Sequence, residues 1–232
     1  MLKNFSIDKN MAKLILFQRT ELLSNFQKKI RKIFGRYLFT NFMIEYFLNI
    51  KKIESIYYNK MLEEFNKIKG EIEISNKSIL CIGGGLGGLE LILFSYFNQA
   101  NFSIIERNYI SKKIIYGWDS NNSEAYNSLD LTFKFLTNNG MPQNNFKIYD
   151  FDKKNLPIKK FDIIISLYSL DYHYDFKVYE DYFRKITTKN TKFIFDTIRP
   201  DYFDKKFEYV KFISNHLQTV HQSKRLICIG FK

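Results

Sequence analysis

The spacing of hydrophobic residues changes along this chain near residue 75. Up to that point apolar residues recur every three or four positions, as in Leu14 and Phe17, and then Phe26, Ile30 and Phe34. This spacing places apolar side chains along one face of a helix. Because no proline interrupts the segment, the pattern predicts an N-terminal helical segment over residues 1–75, made of several helices.

From residue 76 onward, short apolar runs of strand length alternate with segments of helical spacing. The runs cover residues 79–82, 101–106, 146–150, 161–166, 192–197, 207–214 and 225–231. Continuous apolar runs are typical of parallel strands that are covered on both faces. A helix is predicted between the second and third runs, with Ser123 as its N-cap. The order predicts an α/β domain over residues 76–232, with helices on both faces of a mostly parallel sheet and a closing antiparallel pair.

Five glycines occupy six positions directly after the first apolar run. They are Gly83, Gly84, Gly85, Gly87 and Gly88. Without Cβ atoms, this turn can adopt positive φ and approach a ligand closely. Strand, glycine turn and helix in this order indicate a nucleotide-binding turn. The spacing satisfies both G-x-G-x-x-G, typical of dinucleotides, and G-x-G-x-G, typical of S-adenosylmethionine, so spacing alone does not separate the two ligands.

Acidic residues end the second and third strand-like runs. Glu106 stands nineteen positions after Gly87, where a carboxylate can accept hydrogen bonds from both hydroxyls of a ribose. Asp150 ends the next run and precedes Phe151. A carboxylate there is suited to the exocyclic amine of adenine, although an aspartate that only forms a turn fits the same position.

This assembled order resembles the class I S-adenosylmethionine-dependent methyltransferases from Ile79 to the C-terminus. The resemblance implies a Rossmann-like, mostly parallel seven-stranded sheet and S-adenosyl-L-methionine as cofactor. It favours that cofactor over NAD, because the chain after Gly88 is short for a dehydrogenase substrate domain. The implied cofactor-binding residues are Ile82, Gly83, Gly84, Gly85, Gly87, Glu106, Asp150, Phe151 and Ser166. The amino-acid sequence of the glycine turn is loosely similar to that of bacterial sugar and small-molecule O-methyltransferases.

One position departs from the pattern of that family. An Asp or Glu usually stands two positions before the first glycine, and here Cys81 occupies that position. The family's carboxylate orients the glycine turn and a water near the amino group of the methionine. Its absence predicts either weaker cofactor binding or support from another residue.

The stretch after the fourth run carries the candidate catalytic groups. His173 is the predicted general base, because its ordinary pKa near 6.5 suits proton removal near neutral pH. Asp171 or Asp175 is expected to orient it, with Asp171 preferred. The same three residues in alternation are also compatible with a divalent metal, but one short cluster is a weak signal and no metal is predicted.

The absence of one motif narrows the range of possible methyl acceptors. No N/D-P-P-Y/F motif follows the fourth run, which argues against methylation of the adenine amino group. We therefore expect O-methylation of a small or sugar-like acceptor. Two alternatives stay open: an RNA methyltransferase that uses basic N-terminal helices (Lys28, Lys29, Arg31, Lys32 and Arg36), and a binding domain that has lost its chemistry.

The net charge of +12 adds little to this interpretation. A surplus of lysine alongside abundant Asn, Ile, Phe and Tyr is the bias expected of an A/T-rich genome. Nucleic acid is therefore a possible but not the favoured partner, and the oligomeric state is not predicted. Without a signal peptide or a long apolar run, the expected location is the cytoplasm. The two cysteines, Cys81 and Cys228, are expected to be reduced core residues.

Overall fold

The protein is described by a computed structural model that covers residues 2–46, 49–73, 77–111, 125–153, 155–215 and 222–232. Its centre is one seven-stranded sheet. The strands are β1 (Ser78–Ile82), β2 (Asn101–Glu106), β3 (Phe146–Asp150), β4 (Ile163–Ser166), β5 (Lys192–Thr197), β6 (Phe207–Asn215) and β7 (Lys224–Phe231). The predicted fold class, with its closing antiparallel pair, is confirmed.

The strand order is β3-β2-β1-β4-β5-β7-β6. The first five strands of that order are parallel, and β7 runs antiparallel to both β5 and β6. In β1, Cys81 pairs with Ile104 on one side and Ile165 on the other. The chain leaves β1 towards β2 and β3, and later returns to place β4 and β5 on the other side of β1. The carboxyl ends of β1 and β4 therefore flank the topological switch point, where open α/β sheets bind ligands.

Seven α-helices complete the described part of the chain. They are α1 (Lys9–Gln18), α2 (Asn25–Phe34), α3 (Arg36–Tyr46), α4 (Ile50–Ile68), α5 (Gly88–Tyr96), α6 (Leu129–Asn138) and α7 (Glu180–Ile186). The predicted start of α6 was wrong: its N-cap is Ser128, whose side chain accepts from the backbone N–H of Leu131. Ser123 lies outside the described residues, and Ser128 is the hydroxyl residue directly before the helical run.

Two apolar clusters cover the two faces of the sheet. One joins Ile104 of β2 to Ile15 of α1, Phe65 of α4 and Ile92 of α5. The other packs around Phe183 of α7 and contains the aromatic side chains of β5. The N-terminal helices and α5 thus share a single core. The boundary near residue 75 remains a prediction, and the apolar packing is continuous across it.

A buried ion cluster fastens α4 to the sheet. The guanidinium of Arg225 donates to Asp196 at 3.0 and 2.9 Å and to Glu64 at 2.6 Å, and all three side chains are almost wholly inaccessible. Burial opposes the ionised form of Glu64, but Arg225 outweighs that effect and lowers the pKa of this carboxyl to about 2. The three residues come from α4, β5 and β7, so their ion pairs hold three distant segments together.

Cys81 and Cys228 are both buried and free, as expected. Within the described residues, no helix is long and apolar enough to cross a bilayer.

Candidate cofactor and catalytic site

The glycine turn lies at the carboxyl edge of the sheet and touches the loop that follows β4. Gly83 has φ +72°, and a Cβ placed on it would lie 2.1 Å from Oγ of Ser169. No side chain fits in that space, so the turn requires glycine for both its backbone conformation and its contact. The structure thereby brings together two segments that the sequence predicted separately to form the site.

Glu106 contacts the turn directly. Its Oε1 accepts from the backbone N–H of Gly85 at 2.6 Å, and its Oε2 accepts from that of Arg107 at 3.2 Å. Burial raises the pKa of Glu106 to about 7, although these two N–H donors oppose the shift. A carboxylate held against a glycine turn at the end of β2 is in the position that a ribose-binding acid needs. Its binding of ribose remains a prediction.

Three residues that sequence reasoning missed lie around Gly85, and two of them donate to its carbonyl oxygen. Asn127 Nδ2 donates to it at 3.1 Å and the Thr132 hydroxyl donates at 3.0 Å. Gln18, the last residue of α1, donates to the backbone carbonyl of Tyr126, and its Oε1 would lie 2.7 Å from a Cβ on Gly85. Gln18 lies 67 positions before Gly85, and Asn127 and Thr132 lie 42 and 47 positions after it. No local motif could therefore have linked them to the turn.

Asp150 and Phe151 lie beside Glu106 at the same edge of the sheet, because Asp150 is the register partner of Glu106. Asp150 accepts from the backbone N–H of Asp152 at 3.1 Å, as a turn-forming aspartate does. The ring of Phe151 lies 5.2 Å from that of Tyr179. The structure therefore brings both residues to the predicted place, and their contact with adenine remains a prediction.

Ser166 and Ile82 tie the two central strands together at that edge. The Ser166 hydroxyl donates to the carbonyl of Ile82 at 2.8 Å and accepts from the N–H of Leu170 at 2.9 Å. Both side chains are buried. The hydroxyl is thus engaged within the protein and fixes the start of the loop after β4. Any cofactor contact of these two residues, predicted from the resemblance, would involve their backbone.

The loop after β4 contains Asp171, which is predicted to orient His173. Asp171 is fully buried, and its carboxylate accepts from Thr197 Oγ1 at 2.5 Å and from Arg199 Nε and Nη2 at 3.0 and 2.6 Å. It also has φ +57°, a rare backbone conformation for a residue with a side chain. Asp171 therefore anchors this loop to the end of β5, and its role in orienting His173 remains a prediction.

His173 is exposed on the same loop, with its ring 4.9 Å from that of Tyr172. Its backbone N–H donates to the carbonyl of Ser169 at 2.8 Å, and Ser169 is the residue that touches the glycine turn. His173 thus stands four residues after the turn contact in the chain, and its side chain is exposed to solvent. Its role as the base remains a prediction.

The metal alternative for this loop finds no support in the geometry. Arg199 Nη2 bridges Asp171 and Asp175, at 2.6 Å from each, so a cation already occupies the space between the two carboxylates. Among the described residues, no group of three or more His, Cys, Asp or Glu side chains is arranged to hold a metal ion.

Glu90, in the first turn of α5, is a further residue at the turn that the sequence did not single out. Its side chain is 1% exposed, and its Oε1 would lie 2.3 Å from a Cβ on Gly84. It hydrogen-bonds to the Cys81 thiol, whereas no described residue hydrogen-bonds to its Oε2. Burial raises the pKa of Glu90 to about 7, and its charge contributes to the raised pKa of Glu106.

The charge of these side chains fits a sulfonium nucleoside better than a dinucleotide. S-adenosylmethionine carries a sulfonium and an ammonium, so two acids beside the turn complement its charge. A dinucleotide would bring two phosphates close to the same acids.

A separate groove of about 630 Å³ lies at the opposite edge of the sheet. It is lined by residues at the amino ends of the strands, including Ser78, Asn101 and Phe146. Because parallel sheets bind ligands at their carboxyl ends, the size of this groove does not make it the candidate site.

No protein-family model and no curated protein matches the sequence. Many solved structures resemble the fold. The pyocyanin biosynthetic protein PhzM has a TM-score of 0.54 at 8% identity, over 97% of this chain and 74% of its own. A putative O-methyltransferase from Nostoc punctiforme has a TM-score of 0.49 at 10% identity, over 76% and 61%. Coclaurine N-methyltransferase bound to N-methylheliamine and S-adenosylhomocysteine has a TM-score of 0.45 at 10% identity, over 74% and 52%.

The chain thus spans between about half and three quarters of the length of these structures. Identities this low show the fold alone. The structural likeness to PhzM agrees with the strand order and with the position of the glycine turn after β1. The chain has the fold of the class I S-adenosylmethionine-dependent methyltransferases.

Proposed function

We propose that this protein is an S-adenosylmethionine-dependent methyltransferase that methylates an oxygen of a small or sugar-like acceptor. The observation that carries the proposal is the hydrogen bond from Gly85 to Glu106 at the switch point of the sheet. A ribose can replace the Gly85 N–H as a partner of that carboxylate. Asp150 and Phe151 lie next along the edge, where the adenine would follow.

Methyl transfer from a sulfonium is an in-line displacement, and the cofactor supplies the reactive methyl group. The protein has to hold the acceptor oxygen in line with that methyl and to remove its proton. In the proposed reaction His173 takes the proton. Asp171 acts at a distance, because its bonds to Thr197 and Arg199 fix the loop that carries His173.

The cofactor assignment is tested by calorimetric titration with S-adenosylmethionine and S-adenosylhomocysteine, with NAD as control. We expect binding of both sulfur compounds and none of NAD. Glu106→Ala should weaken the binding of both sulfur compounds by about 10- to 100-fold, because a charged acceptor of two ribose hydrogen bonds is lost. Absence of binding to either sulfur compound by the unmodified protein would overturn the proposal and favour a domain that has lost its chemistry.

The base assignment is tested once a methyl acceptor has been found by screening. His173→Ala should lower kcat by about 100-fold or more while leaving the affinity for S-adenosylhomocysteine nearly unchanged. Thr137→Ala, at the surface of α6, is the matched control and should leave both quantities unchanged. Unchanged kcat in the His173 variant would remove this residue from the mechanism.

The RNA alternative rests on the basic residues of α2 and α3. The first of these helices also exposes Phe26, Ile33 and Phe34, which are 71%, 77% and 60% accessible, so its basic side chains share their surface with large apolar ones. A phosphate-binding face would be dominated by charge, and its affinity would fall steeply with salt. Strong, salt-sensitive binding of a structured RNA would therefore favour the alternative over a small acceptor.

A further inference from the structure

A buried carboxylate beside the glycine turn has unused hydrogen-bonding capacity. Glu90 belongs to α5, yet its Oε1 lies against Gly84, and no described residue hydrogen-bonds to its Oε2. Burying an acid without a full set of partners is costly, and proteins rarely keep such a group without a use for it. Glu90 therefore needs either a proton or a cationic partner.

The groups around Glu90 do not supply that partner. The Cys81 thiol is a weak donor, and burial raises its pKa well above the ordinary value. Glu106 is a second acid that repels Glu90. Arg19 attracts it through space, but the guanidinium of Arg19 pairs with Glu21 at 3.4 Å and lies over the ring of Tyr168.

We propose that Glu90 binds the α-ammonium group of the cofactor's amino-acid moiety. This inference rests on the proposed function, because it needs a sulfonium nucleoside in the turn. Glu106 is placed for the ribose, so a ligand that extends from Glu106 across Gly85 and Gly84 brings its amino-acid end to Glu90. An ammonium there supplies the donors that Oε2 lacks and neutralises a buried charge.

The contact with Cys81 explains how this acid serves the turn. The sequence resemblance places an acid at position 81, near the end of β1, but this chain carries a thiol there. Glu90 reaches back from α5 and hydrogen-bonds to that thiol. The negative charge is therefore provided by the helix after the turn, and the smaller Cys81 side chain leaves room for it.

The test compares two ligands that differ in the amino-acid moiety, which carries the ammonium group that Glu90 would bind. S-adenosylhomocysteine carries the amino-acid moiety, whereas 5′-methylthioadenosine keeps the adenosine and lacks the ammonium and carboxylate. In calorimetry, Glu90→Gln should weaken the binding of S-adenosylhomocysteine by about 10- to 100-fold and leave the affinity for 5′-methylthioadenosine unchanged. Glu106→Ala should weaken both ligands, because both contain the ribose.

Two controls keep structural damage apart from lost recognition. Glu54→Gln changes another buried glutamate, which is on α4 and bonds to Asn4 and Lys51, and should leave both affinities unchanged. In addition, the unmodified protein near pH 7, about the pKa of Glu90, should release protons when S-adenosylhomocysteine binds, seen as a dependence of the binding heat on the buffer. The Glu90→Gln variant should release no such protons on binding.

The outcomes are distinct. If unmodified protein binds neither ligand, the proposed function fails. If it binds both and Glu90→Gln retains full affinity for S-adenosylhomocysteine, the proposed function stands and the role of Glu90 is overturned. A variant that weakens both ligands equally would also overturn it, because the effect would then lie in the turn as a whole.

Discussion

Arg225→Met is expected to lower the free energy of unfolding by about 3–5 kcal/mol, the usual cost of removing one partner from a buried ion pair. Arg225 is fully buried and is the cation that Asp196 and Glu64 share. Without it, two carboxylates from β5 and α4 would stay in the core as like charges. Because a domain of this kind is stabilised by only about 5–15 kcal/mol, this single change should be readily visible in urea unfolding.

Two variants show whether the burial of the charge is responsible. Arg184→Ala removes a half-exposed arginine that pairs with Glu180, and it should cost less than about 1 kcal/mol. Combining Arg225→Met with Glu64→Gln and Asp196→Asn should recover part of the loss, because no unpaired charge remains. A cost for Arg225→Met as small as that for Arg184→Ala would contradict this account.

The ligand-free protein is expected to lose stability as the pH rises from about 4.5 to above 7. Burial raises the pKa of Glu90 from 4.5 to about 7, so the folded state binds a proton that the unfolded state has released over that range. Stability falls wherever the folded state holds more protons. For Glu90 the shift corresponds to roughly 3 kcal/mol, and the raised pKa of Glu106 acts in the same direction.

Below pH 4.5 stability is expected to change with pH in the opposite direction. Arg225 holds the pKa of Glu64 at about 2 against the effect of burial, so the stability from that ion pair is lost as the pH falls from 4.5 towards 2. Urea unfolding should therefore give a maximum near pH 4.5 to 5. Glu90→Gln should flatten the decline on the alkaline side, and a decline as steep as that of unmodified protein would exclude Glu90 as its cause.

These expectations give Glu90→Gln two effects of opposite sign. Above pH 7 it should stabilise the ligand-free protein, because a neutral amide replaces a buried charge, and it should weaken binding of the amino-acid part of the cofactor. A residue that costs stability and improves binding is typical of functional sites. A purely structural glutamate would lower stability when replaced.

The sequence by itself determined the fold class and the position of the glycine turn. The continuous apolar runs predicted β2, β3 and β5 with the bounds that the structure has, since strands covered on both faces tolerate few polar residues. The glycines and Glu106 were identified because a close ligand contact requires these residue types at fixed local spacing. Signals of this kind are local, and a single sequence carries them.

Only the tertiary structure decided which acids contact the turn. Asp171 follows β4 in a stretch that looks catalytic, yet its bonds to Thr197 and Arg199 bury it. Glu90 looks like an ordinary helical glutamate, yet packing around Gly84 and Cys81 leaves it buried at the site. The burial of a carboxylate and its partners depend on segments far apart in the chain, and periodicity and spacing carry no information about such contacts.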